Sequence, residues 1–107
     1  MEASYHAPKI GAMRKSTHTP EYAALRQKLA SIRAAAGLSQ RQLAAILQVP
    51  HSWVAKVESG ERRIDLVEFA WFCLACGQDA AEIAPAFFSE SMKSTSRRPR
   101  NSKQGRR

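Results

Sequence analysis

The chain has 107 residues, enough for one small domain and too few for a second sizeable core. Seventeen Lys and Arg against nine Asp and Glu give a formal charge of +8, which points to an anionic partner such as nucleic acid or an acidic membrane surface. No apolar run resembles a signal peptide or approaches the roughly 20 residues that span a bilayer, so a cytoplasmic protein is expected.

Residues 1–18 read as a flexible N-terminal arm, 19–88 as the folded domain and 89–107 as a disordered basic tail. The charge is uneven along the chain: +2 over residues 1–20, zero over 21–88 and +6 over 89–107. Both ends are rich in Ser, Thr, Pro, Lys and Arg and poor in large apolar side chains. They cannot bury enough surface to offset the entropy of ordering.

Thr19-Pro20-Glu21 combines a cap, a proline at the first helical position and an acid in the first turn, and so starts a helix. Tyr22, Leu25, Leu29, Ile32 and Ala36 follow on one buried stripe until Gly37. Ser39 with Gln42, Asp65 with Glu68 and Asp79 with Glu82 have capping-box spacing and announce three more helices. The first turns Leu43, Ala44 and Leu47 inward, and the next, about Leu66 to Cys76, is apolar over most of its surface. The last offers Ile83, Phe87 and Phe88.

Between them, "VPHSWVAKVESGE" (Val49 to Glu61) predicts a helix that ends at Gly60. At about 100° per residue, Trp53, Val54, Val57 and Glu58 share one arc, and His51, Ser52, Ala55, Lys56 and Ser59 the opposite one. Two helices of barely two turns, joined by Gln48, Val49 and Pro50, are unstable alone and have the geometry of a helix-turn-helix. No stretch alternates as a strand does, so the expected class is all-α.

Cys73 and Cys76 form a CxxC, but at the C-terminal end of a helix, where the dipole disfavours a thiolate. His6, His18 and His51 show no zinc-ligand spacing with that pair. The two cysteines read as core, and neither a metal nor a cofactor is expected. No paired carboxylates, activated nucleophile or phosphate-cradling glycine loop suggests an enzyme.

Arg33, "GLSQRQLA" (Gly37 to Ala44), Leu47, "VPHSWVAKVESGERR" (Val49 to Arg63) and "DLVEF" (Asp65 to Phe69) together resemble the Cro and lambda-repressor type, or XRE, helix-turn-helix regulators over about Tyr22 to Ile83. The resemblance implies a five-helix, lambda-repressor-like DNA-binding domain with the helix from Pro50 to Ser59 in the major groove. It implies that Gln40 fixes the module to DNA, that His51, Ser52 and Lys56 reach base edges, and that Arg33 and Glu58 form an ion pair between the first and reading helices.

The residue chemistry is compatible with those roles: His, Ser and Lys can donate to base or phosphate acceptors, and the Ala55 methyl can meet a thymine methyl. Arg41, Arg62 and Arg63 are candidates for phosphate. Two residues depart from the pattern. Gln48 stands where the family has glycine, and Pro50 where it often has a Ser or Thr cap.

Trp71 and Leu74, one turn apart, suggest an interface, and with Phe87 and Phe88 they are expected to form a homodimer through the last two helices. The expected function is a sequence-specific regulator of double-stranded DNA, acting as a repressor. The alternative is an antitoxin that grips a partner toxin and controls its own promoter.

Overall fold

A computed structural model describes residues 16–91 of the chain. The cations from Lys93 to Arg107, the arm before Ser16 and the disorder expected of both ends lie outside those residues. A single 3-10 turn, Ser16–His18, precedes five helices: α1 (Pro20–Ala35), α2 (Gln40–Leu47), α3 (His51–Ser59), α4 (Leu66–Ala75) and α5 (Ala80–Ser91). Among the described residues there is no strand. No described helix is long and apolar enough to cross a membrane.

The helix starts follow local chemistry. Thr19 accepts from the Tyr22 amide, and Ser39 and Asp65 each close a reciprocal capping box with Gln42 and Glu68. Asp79 instead accepts from the Ala81 amide at 3.0 Å. α5 runs past Phe88 to Ser91 because neither glycine nor proline stands in the way there. It also accommodates Pro85, whose missing N–H leaves the Ala81 carbonyl without its helical donor, on an exposed turn where water can replace it.

The core lies where α1, α2, α3 and α4 converge. Leu29, Leu43, Val54, Val57, Phe72 and Cys73 are fully enclosed, with Ile32, Ala44, Phe69 and Cys76 nearly so. Leu25, Leu38, Leu47, Val49, Trp53, Ile64 and Ile83 pack around them. Both cysteines are free and buried, and burial pushes the Cys73 thiol up to about 11. A thiol so placed packs as a small apolar side chain.

Two expected core positions face water. Ala36 is exposed because it is the C-cap of α1, beyond the last turn that meets a neighbour. Phe88 is 52% exposed, and α5 has no fully buried residue, because it covers the domain from one side only.

The turn between α2 and α3 carries strain. Gln48 adopts φ 59° and ψ 46°, the left-handed region that glycine occupies without cost, and the Val49 amide closes back on the Ala44 carbonyl at 3.0 Å. Among the described residues it is the only non-glycine with positive φ. Its side chain is exposed, so Gln48→Gly removes strain without removing packing. We expect a gain of about 0.5–1 kcal/mol and a Tm higher by a few degrees. An unchanged or lower Tm in thermal denaturation would contradict this.

Candidate nucleic-acid interface

α3 has nine residues, short enough to be marginal alone; two sets of bonds hold it against the rest of the domain, and a third, which touches it through Trp53, fixes the loop that follows. The most central involves Glu58. Its carboxylate accepts from Arg33 Nε at 2.7 Å, from Arg33 Nη2 at 3.0 Å and from Gln40 Nε2 at 2.9 Å. Arg33 Nη1 also donates to the Leu38 carbonyl at 2.8 Å. One carboxylate thereby joins α1, the start of α2 and α3, while its guanidinium partner also holds the α1–α2 turn.

The pair is largely shielded, with side-chain exposures of 18% for Arg33 and 8% for Glu58. The hydrogen bonds from the guanidinium to Glu58 raise the Arg33 pKa above its ordinary value, so it stays charged.

The second set closes the C-terminal end of α3. Arg26 Nη1 donates to the Glu58 carbonyl at 3.4 Å, and the guanidinium charge lies where the helix dipole is negative. Gly60 ends the helix at φ 86°, and a Cβ there would meet Arg26 Cδ and Nε at 3.0 Å. The left-handed backbone is what favours glycine here, and a side chain would also have to push the flexible Arg26 side chain aside by a few tenths of an ångström. Arg26 stands seven residues before Arg33, two helical turns away on the same face, and that spacing was the available sequence signal for its role.

The third set fixes the loop after α3. Arg62 donates to both carboxylate oxygens of Glu68, at 3.1 and 3.2 Å, and to the Arg63 carbonyl at 2.8 Å. Its guanidinium carbon lies 5.0 Å from the Trp53 ring centroid. The Tyr22 hydroxyl accepts from the Ile64 amide at 3.0 Å, tying the same loop to α1. Arg62, a candidate for phosphate, directs donors at Glu68 and Arg63, and its charge stacks on Trp53.

With α3 held in this way, His51, Ser52 and Lys56 are exposed and Ala55 is half-buried, all on the face away from the core. No acidic residue interrupts that face. Arg41 and Arg63 are also exposed, and neither they nor Lys56 form an ion pair among the described residues. Gln40, half-buried, is engaged by Glu58 through its amide nitrogen. No side chain caps α3 at Pro50. Among the described residues, no group of three or more His, Cys, Asp or Glu could hold a metal ion.

A short two-helix unit with one exposed polar face is the architecture of a helix-turn-helix domain, and comparison with known proteins agrees. The family model described as "Helix-turn-helix domain" matches residues 24–86. An XRE-family like protein from Pseudomonas syringae pv. tomato str. DC3000 has a similar solved structure, 39% identical, with a TM-score of 0.64 and coverage of 69% of this chain and 90% of that one. No curated protein matches the chain. The chain belongs to the XRE-type family of helix-turn-helix DNA-binding transcription regulators.

Two measurements test the bracing. Glu58→Ala leaves Arg33 shielded without its carboxylate and frees Gln40, and should cost about 3 kcal/mol in urea unfolding; a loss well under 1 kcal/mol would show that the bridge is not a brace. For Glu68, the hydrogen bonds from Arg62 and then from the Asp65 amide hold its carboxyl below the ordinary range. A depressed carboxyl stabilises the fold above its unfolded pKa, and that contribution is lost as pH falls through the folded value. Wild type should therefore exceed Glu68→Gln in Tm at pH 7 and lose that advantage below about pH 4.3. A gap that stays constant to pH 3 would contradict the assignment.

Proposed function

We propose that the protein is a repressor that binds a twofold-symmetric operator as a homodimer, laying α3 in the major groove of double-stranded DNA. The observation that carries this reading is the acid-free face of His51, Ser52, Ala55 and Lys56 on a helix held through its Glu58 carboxylate, its Glu58 carbonyl and its Trp53 ring. A helix fits the major groove, and small outward residues allow close approach to base edges.

His51, Ser52 and Lys56 then donate to base or phosphate acceptors, and Ala55 offers a methyl to thymine. Arg41 and Arg63, whose side chains are exposed and form no ion pair among the described residues, are free to meet phosphate. Gln40 keeps its amide oxygen and one N–H beyond the bond to Glu58, so it can touch DNA and the brace together. The uncapped first turn of α3 presents backbone amides that suit a phosphate oxygen. Arg62 acts at one remove, by fixing the loop that carries Arg63. Repression requires only that a promoter be covered, with no further surface to recruit other proteins.

Selection of bound sequences from a random DNA pool tests specificity and symmetry together. The wild-type chain should enrich half-sites about 34 Å apart, one helical turn. The triple variant Gln40→Ala, Ser52→Ala, Lys56→Ala should remain helical yet lose that preference by 100-fold or more, since good base contacts each discriminate by about 1–3 kcal/mol. A folded triple variant that enriches the same sites would overturn the assignment of α3 as the reading helix.

A further inference from the structure

α4 has two apolar faces, and the domain covers one. Phe69, Phe72, Cys73 and Cys76 enter the core. Leu66, Val67, Trp71 and Leu74 are 78%, 55%, 58% and 70% exposed, and Ala70 between them is exposed as well. At about 100° per residue these five positions fill one arc of about 140° that contains no polar residue. The neighbouring Glu68 falls outside that arc and is already bound to Arg62.

From their fractional exposures, Trp71, Leu66, Val67 and Leu74 leave roughly 400–500 Å² of side chain uncovered, comparable to the largest patches soluble monomers show, which are often functional. A stable interface needs about 800 Å² per partner, so the stripe supplies its apolar centre and leaves the surrounding residues to form a rim.

We infer that the occupant is a second copy of this chain, with the α4 helices crossing antiparallel at Ala70. This rests on the homodimer reading above and specifies its surface. The layout suits a twofold axis: the smallest side chain sits midway along the stripe, with a leucine one turn to either side. Facing copies bring Ala70 onto Ala70 of the second copy, where small residues permit close helix approach, and set Leu66 of each against Leu74 of the other. Antiparallel pairing also opposes the two helix dipoles.

α4 packs against α1, α2 and α5, and its stripe shares no residue with the His51-to-Lys56 face of α3. Phe87 and Phe88 stand on α5, apart from the α4 stripe, and Phe87, half-buried, lines a groove with Ala24, Gln27 and Lys28 of α1. Phe88 packs edge-on against Phe87, with ring centroids 5.5 Å apart.

Three variants of the full chain test the surface by analytical ultracentrifugation, circular dichroism, cross-linking and binding to the selected operator. Wild type should sediment as a dimer. Trp71→Glu should sediment as a folded monomer, its operator affinity reduced about 100-fold through loss of two-site avidity. Under mild oxidation Ala70→Cys should form a covalent dimer, separable on a non-reducing gel, whereas Phe88→Cys should not.

A monomeric wild type, a Trp71→Glu variant that remains dimeric, or cross-linking through Phe88→Cys in place of Ala70→Cys would overturn the inference. A monomeric chain whose Trp71 is shielded only when a toxin co-purifies would overturn it in favour of that partner. Failure of DNA reading is distinguishable: the α4 dimer would then form as described, with no sequence enriched from the random pool.

Discussion

The Glu58 carboxylate is where the helix-turn-helix becomes a rigid object. α3 is too short to persist alone, and it has only two enclosed side chains, Val54 and Val57, to seat it on the core. Rotation about its axis decides which way Ser52 and Lys56 point. A carboxylate bound by a planar guanidinium at two points and by an amide at a third resists that rotation, because each bond is directional. The desolvation cost of a shielded ion pair offsets much of its attraction, so the bridge serves orientation more than net stability. Arg26 at one end of α3 and the Arg62–Trp53 stack in front of it apply the same constraint at separated points.

The cations of this domain accordingly fall into two sets that composition cannot tell apart. Arg26, Arg33 and Arg62 are spent on carbonyls and carboxylates within the domain, while Lys28, Arg41, Lys56 and Arg63 face solvent without an ion pair among the described residues. Residues 21–88 carry no net charge, yet the acids that neutralise them are partly those holding the internal arginines. A neutral domain can therefore present a locally basic face. Guanidinium suits the internal role because its planar fork satisfies two oxygens at once, as at Glu58 and Glu68, whereas the exposed Lys56 needs only charge and reach.

Much of this was legible in the sequence because it depends on local chemistry. Thr19, Ser39 and Asp65 mark helix starts through bonds to residues three positions on, and the spacing of Leu29, Ile32, Leu43, Val54 and Val57 reports a buried face directly. The left-handed Gln48 and the uncapped Pro50 follow from the turn that two such helices require. What escaped depends on distant neighbours. Periodicity shows that α4 is apolar on most sides but not which side a neighbour covers, so Leu66 and Val67 passed unnoticed beside Trp71 and Leu74. The partners of Arg62, Glu68 and Trp53, come to it only through the fold. The Tyr22 hydroxyl on the Ile64 amide spans 42 residues, a separation at which no local pattern can register.

Size supplies the last constraint. A domain built from five short helices has too few elements to cover both faces of a central one, and a mostly apolar α4 buries one face against α1, α2 and α5 while leaving the other to solvent. Polar residues on that outer face would solve the problem for a monomer at no cost to the core, since helix propensity does not require Leu66, Val67 or Trp71 there. Such side chains suit an outer face that is covered in the working state. Association then adds apolar burial that the isolated domain lacks and links the stability of each copy to the concentration of the other. The same contact would fix the distance between two braced α3 helices, turning two short, individually weak readers into one that measures spacing along the duplex as well as base identity.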